Sequence, residues 1–168
     1  HPHRQLLAAL ASGLLFTLGC SAPQGALTSP RARSYVGDPD TLVVSTEPAF
    51  PPFVYQTAAG ELVGFDVDLI TEVARRLGLK VDFAYIPFDG LMATLEAGTA
   101  DASIDAITIT ARRDEAVDFS RPYFSSGLAV AVRRDEPNIT TLSDLAGKKI
   151  AVKLGTTGAE LAAQVPDT

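Results

Sequence analysis

The sequence predicts an α/β fold built on a parallel sheet, and three observations predict it. Short apolar, β-branched runs recur between Thr41 and Thr108, the segments between them carry apolar residues at helical spacing, and glycines close those segments where helices stop. The order strand, helix, strand, helix, strand calls for crossover connections and a sheet covered on both faces. In such a sheet ligands sit at the carboxyl ends of the strands.

Each element has its own signal. TLVVS (41–45) lies between Asp-Pro-Asp and Glu-Pro and reads as a buried strand, followed by a turn-rich PAFPPF. Asp66 is placed to cap a helix in which Val67, Ile70, Val73, Ala74 and Leu77 share a face, and Gly78 ends it. Val81, Phe83 and Tyr85 alternate with Asp82 and Ala84 as a second strand, and Asp89 is placed to cap a second helix carrying Leu91, Leu95 and Ala97 up to Gly98. Residues 102–108 make a third strand. Beyond Phe119 the chain reads as extended over 120–126, then as an apolar strand over 128–132. TLSDLAGKKIAV supplies a short capped helix, a glycine and a strand before the loop KLGTTG. A second α/β unit is therefore expected from Leu128, with 123–127 as the crossing into it.

The 168 residues are 46% hydrophobic and 20% charged with a net charge of −6, a globular composition with material for at least one core. An acidic chain without a Lys/Arg run is a poor partner for nucleic acid. One cysteine, Cys20, and two histidines, His1 and His3, all near the start, suggest neither a metal site nor thiol chemistry, and no cofactor is expected.

The first twenty residues have the layout of a secretory leader: a polar start with Arg4, then 13 nearly continuous apolar residues from Leu6 to Leu18, too short for a comfortable membrane span. Gly19-Cys20 directly after that run resembles a bacterial lipobox, which makes Cys20 the expected lipidation site; the alternative is an ordinary signal cleaved within CSAPQGA. Residues 21–40, rich in Ser, Pro, Gly and Ala, are expected to be a flexible tether. The chain begins without Met and stops at VPDT soon after a helical pattern opens at Gly158, so it reads as part of a longer protein.

Four loops follow the predicted strands, at 47–53, 87–90, 108–113 and 153–158. They bring together aromatics, the carboxylates Glu47 and Asp89, hydroxyls, Arg112, Arg113 and Lys153. A guanidinium beside hydroxyls and free backbone N–H groups at a strand-to-helix junction suits a carboxylate, because the fork is bidentate and stays charged. Arg112 fits better as an exposed helix-start charge.

The segments TEPAFPPF, GELVGFDVDLITEVARRLG, FDGLMATLEAGTADASIDAITITARR, VDFSRPYFSSG and LSDLAGKKIAVKLGTTG together resemble, in order and spacing, the polar amino-acid binding proteins of bacterial ABC importers, solute-binding family 3. The resemblance implies a two-lobed periplasmic-binding-protein-like fold (type II), with 41–122 in the first lobe, 123–127 as hinge and 128–168 opening a second lobe. It implies that Arg113 grips the ligand carboxylate, that Thr108 adds a hydroxyl and N–H, and that the Ala106 carbonyl meets the ligand ammonium. Phe50 and Phe88 correspond to aromatics that sandwich the ligand side chain, although a phenylalanine also fits an ordinary core; Phe53 is expected to pack inward. Lys153 and Thr157, with Thr156 as the neighbouring alternative, correspond to positions reaching across the cleft.

Asp105 stands where the family usually has a small or hydroxyl residue facing the ligand side chain, and Glu47 occupies the other acidic position. Two such carboxylates favour a cation between them, arginine or lysine before histidine, with glutamine as the alternative; the other reading is that Asp105 turns to solvent or caps a neighbouring loop. The implied role is non-catalytic capture of an amino acid by a monomer for an ABC permease, at the periplasmic or outer face of the cytoplasmic membrane. Two other readings use the same scaffold: a cyclohexadienyl-dehydratase-like enzyme and the sensing domain of a membrane receptor.

Overall fold

The computed structural model describes residues 37–136 and 138–167. The expected leader, Cys20 included, and the tether up to residue 36 lie outside the described residues. Along the described chain the order is β1 (Thr41–Thr46), β2 (Ala49–Phe50), β3 (Val54–Gln56), β4 (Leu62–Val63), α1 (Phe65–Leu77) and β5 (Lys80–Tyr85). A 3-10 turn (Phe88–Gly90), α2 (Leu91–Glu96), β6 (Ala102–Ser103), α3 (Ala111–Asp114), a second 3-10 turn (Leu142–Leu145) and α4 (Thr157–Ala162) follow.

The expected parallel sheet is present, in the order β5-β1-β6, with Val44 opposite Phe83 on one side and Ala102 on the other. Alternation sends Leu42 and Val44 of β1 to one face, where they form the core with Ala74 and Ile104, and where Ile70 of α1 and Val81 and Phe83 of β5 pack. Ser45 faces the other way and is fully buried; its hydroxyl accepts a hydrogen bond from Thr94 Oγ1 of α2 at 2.9 Å. With both faces covered, β1 reads as a continuous apolar run because it has no solvent side.

The start of α1 differs from the expectation. Its N-cap is Gly64, not Asp66, and Asp66 is completely buried inside the first turn. The N–H groups of Phe65 and Asp66 donate to the carbonyls of Pro52 and Phe53 at 3.1 and 2.9 Å, so backbone carbonyls replace a side-chain cap. Those carbonyls belong to a hairpin turn that the sequence did not announce: β2, β3 and β4 form a small antiparallel sheet pairing Phe50 with Val54 and Tyr55 with Val63. Gly64 makes the close approach possible, with φ 134° and a position where a Cβ would lie 2.2 Å from the Phe53 oxygen. Gly78 closes α1 in the left-handed conformation, as expected.

Three further expectations are corrected. Asp89 caps nothing: it lies within the 3-10 turn, and the residue before α2 is Gly90, with no side-chain cap. The third strand is only Ala102–Ser103, and it cannot run on to 108 because Ala106 adopts φ 44°, which no strand accommodates. The apolar runs at 128–132 and 150–152 are in no strand; Leu128, Val130 and Val132 are 58%, 52% and 44% exposed, since no ladder partner stands beside them among the described residues. The capped turn at 142–145 does form, with Thr141 and Asp144 bonding reciprocally. No helix of the described residues is long and apolar enough to cross a membrane.

Candidate ligand-binding site

The three strands of the parallel sheet end side by side, and the residues just beyond them converge. Glu47 follows β1, Phe88 follows β5 and Asp105 follows β6. Asp105 Oδ2 accepts the Glu47 N–H at 2.6 Å, and Glu47 Oε2 accepts the Phe88 N–H at 2.9 Å, so the two carboxylates tie the three strand ends together. Lys153 Nζ lies 2.5 Å from Glu47 Oε2 and 5.5 Å from the centre of the Phe88 ring, placing a cation of the chain itself on both groups.

Arg113 reaches the same place from the other side. Thr110 opens α3, its hydroxyl accepting the Arg113 N–H at 3.3 Å. This short helix points the guanidinium back toward the sheet, where the residue is only 6% exposed. Its Nη1 donates to the Thr108 carbonyl and its Nη2 to the Gly155 carbonyl, both at 2.7 Å, and the guanidinium carbon stands 5.6 Å from the Phe88 ring centre. Two of the five N–H donors are thereby engaged. Gly155 has φ 73° and lies where a Cβ would be 2.8 Å from the Asp89 Cα, so the absence of a side chain lets its loop pack against the 3-10 turn.

A cavity of about 710 Å³ opens over these groups, lined by Phe50, Phe53, Phe88, Asp105, Ala106, Thr108, Arg113, Tyr123, Phe124, Lys153, Thr156 and Thr157 among others. Eight of the nine expected site residues line it; the ninth, Glu47, stands behind Lys153 and Phe88. Thr156 Oγ1 donates to the Lys153 carbonyl and accepts the Ala159 N–H as the cap of α4, so the hydroxyl of Thr157 is the less committed of the two. Arg112, as expected, is exposed, and it pairs with Glu160 of α4. Asp105 is 2% exposed, and burial pushes its carboxyl up to about 6, against the opposing pull of the Glu47 N–H and the Lys153 charge.

Several site residues went unassigned. Phe53 is half-buried, not fully inward: it stacks on Phe50 with ring centres 5.4 Å apart, and meets Phe65 and Phe124 edge-on at 6.3 and 5.0 Å. Tyr123 stacks on Phe65 at 5.9 Å. The available signal is the aromatic pair in RPYFSSG, whose rings both line the cavity.

The model of the bacterial extracellular solute-binding proteins, family 3, matches residues 42–166, which takes in every strand and helix described above except the first residue of β1. The chain belongs to this family. Among its relatives, the L-cystine-binding protein TcyJ of Escherichia coli K12 is 36% identical over 136 residues, covering 80% of this chain and 49% of its own length. An ancestral arginine-binding protein, solved with arginine bound, is 44% identical at a TM-score of 0.73, covering 75% of this chain and 56% of that one. An ancestral arginine-binding protein solved with glutamine bound is 44% identical at a TM-score of 0.70, covering 76% of this chain and 58% of that one. The fold is accordingly the periplasmic-binding-protein α/β fold, and the chain spans about half the length of the curated relatives it matches. In this family-3 chain the cavity brings together a guanidinium, aromatic rings and a buried acid.

Proposed function

We propose that this chain is the amino-acid-gripping part of an extracytoplasmic solute-binding protein that delivers a polar or cationic amino acid to an ABC permease. The observation that carries the reading is Arg113. A buried guanidinium at a cavity wall, fixed by two carbonyls with donors to spare, is suited to an α-carboxylate. Within it, Thr108 and Ala106 flank the carboxylate and ammonium, Phe50 and Phe88 enclose the side chain, and Lys153 and Thr157 approach from the far wall. The organisation proposed is a first lobe over 41–122, a hinge at 123–127 and a second lobe opening at 128. The reading is non-catalytic: Glu47 and Asp105 hold backbone N–H groups and a lysine, which favours a structural and electrostatic task over proton transfer to a substrate. The protein is taken to act as a monomer at the outer face of the cytoplasmic membrane.

For the ligand, arginine or lysine is favoured because Asp105 and Glu47 place negative charge at the cavity and a neutral ligand does not answer it. The Glu47–Lys153 pair supports a second reading, glutamine, because Lys153 already answers one carboxylate from within the chain. A calorimetric panel of the twenty amino acids on the natural protein separates them. Arginine or lysine is expected to bind most tightly and to lose that preference in Asp105→Ser. A best response to glutamine transfers the assignment to the second reading; a best response to glutamate or to an apolar amino acid refutes both.

The leader and Cys20 add a proposed lipid anchor, several acyl chains being enough for firm membrane attachment. Expression with labelled fatty acid is expected to label the natural precursor and not Cys20→Ser. Release of unlabelled natural protein in soluble form would rule the anchor out.

A further inference from the structure

Asp66 is the buried charge that the site as described does not use. It is completely inaccessible, yet it lies on no helix-cap duty and in no ion pair among the described residues. Its Oδ2 accepts the N–H of Ala106, forty residues away in sequence, at 2.6 Å. Ala106 is the residue with φ 44°, and it lines the cavity. A non-glycine residue enters the left-handed region at an energetic penalty and stays there only where surrounding contacts over-determine it. The Asp66 carboxylate is the contact available to do so, since a short, charge-assisted bond to this N–H fixes the orientation of the peptide on its amino side.

The other side of the carboxylate points to Tyr123, the first residue of the expected hinge. The Tyr123 hydroxyl interacts with Asp66 and with the Ala106 backbone, while Oδ1 itself has no partner at full hydrogen-bond geometry. The ring of Tyr123 stacks on Phe65, the residue immediately before Asp66. Adjacent residues at the start of α1 therefore address one tyrosine, one through its ring and the other through its hydroxyl. Burial raises the Asp66 carboxyl above its ordinary range, so this placement is unfavourable for the acid alone and is held by the contacts around it.

We propose that Asp66 is a positioning residue for the ligand site: its buried carboxylate holds the left-handed turn at Ala106 and orients Tyr123 beside it, giving one cavity wall its shape without touching the ligand. The inference rests on the amino-acid-binding reading for its functional meaning, and its structural part stands on the Asp66–Ala106 bond.

The test uses the natural protein, with L-arginine and L-glutamine as probes in calorimetry and amide hydrogen exchange in the absence of either. Asp66→Ala is expected to weaken binding of the preferred probe by about tenfold or more, because it leaves a buried N–H unpaired and frees the turn. Adding Ala106→Gly to Asp66→Ala is expected to recover about fivefold, since glycine enters the left-handed region without the alanine penalty. A role in packing alone predicts no such recovery, because glycine adds no contact. Exchange at the Ala106 amide is expected to rise sharply in Asp66→Ala and to rise about tenfold in Asp66→Asn, whose neutral oxygen accepts more weakly, while an amide within β1 is unchanged. The asparagine variant gives the local readout even if the alanine variant does not fold. Native affinity in Asp66→Ala, absence of rescue by glycine, or unchanged exchange at Ala106 in Asp66→Asn overturns the proposal. If the natural protein binds neither probe nor any other amino acid, the functional reading fails, and exchange at Ala106 still decides the role of Asp66.

Discussion

Arg113→Ala in the natural protein is expected to weaken amino-acid binding by about a hundredfold or more, corresponding to about 3 kcal/mol for loss of a charge-assisted, bidentate contact at a desolvated site. The size follows from the surroundings of the side chain. At 6% exposure the guanidinium is shielded from water, and its bonds to the Thr108 and Gly155 carbonyls hold it in one orientation, so little ordering is left for a carboxylate to impose. Arg113→Lys retains a charge but presents one point donor in place of a planar fork, and it is expected to fall between the natural protein and the alanine variant. Isothermal calorimetry on the three proteins checks the order, and circular dichroism checks that each is folded. An alanine variant that binds within threefold of the natural affinity removes Arg113 from the site.

Gly64→Ala is the substitution expected to harm the fold most, by about 2–5 kcal/mol. Two penalties coincide there. The backbone sits at φ 134°, outside the regions an alanine occupies, and the added methyl would lie 2.2 Å from the Phe53 oxygen and 2.6 Å from the Phe53 carbonyl carbon. The atoms in the way are backbone, and they accept the first N–H groups of α1, so relief of the clash would break the arrangement that stands in for a helix cap. Urea denaturation of the natural protein and the variant reads the difference as a fall in midpoint at constant slope. Equal midpoints would mean that the hairpin and α1 can separate freely, contrary to the geometry described.

Much of the fold was legible because it rests on local pattern. The β-branched run at 41–45, the helical spacing from Val67 to Leu77 and the alternation at 81–85 each produced the element they announced. What escaped notice was set by distant contacts. Strands of two or three residues, such as β2 and β4, are too short to show a period, so the small antiparallel sheet left no trace in the sequence. Asp66 has the residue type and the place of a helix cap, and only the hairpin carbonyls and the Ala106 N–H show why it is buried. An alanine at φ 44° announces nothing by its identity, so the early end of β6 was unreadable. At the cavity wall, Arg113 and Thr108 were legible from residue type and position, and Phe88 from the family resemblance. The placing of Lys153 on Glu47 was not, because it depends on how the loop at 153–156 folds back onto the sheet edge, which Gly155 alone permits.

The exposed apolar strip at Leu128, Val130 and Val132 bears on how the protein is handled in solution. Alternate residues of an unpaired segment present side chains that favour burial alongside backbone donors and acceptors that favour a neighbouring strand, the combination that recruits a second molecule edge to edge. Mutual repulsion from a net charge of −6 opposes such association only while salt is low, since screening shortens its reach to about 8 Å at physiological ionic strength. Shortened versions of this polypeptide that leave the strip uncovered are therefore prone to self-association that grows with concentration and salt, and recombinant work is better founded on the natural protein than on residues 37–167 in isolation.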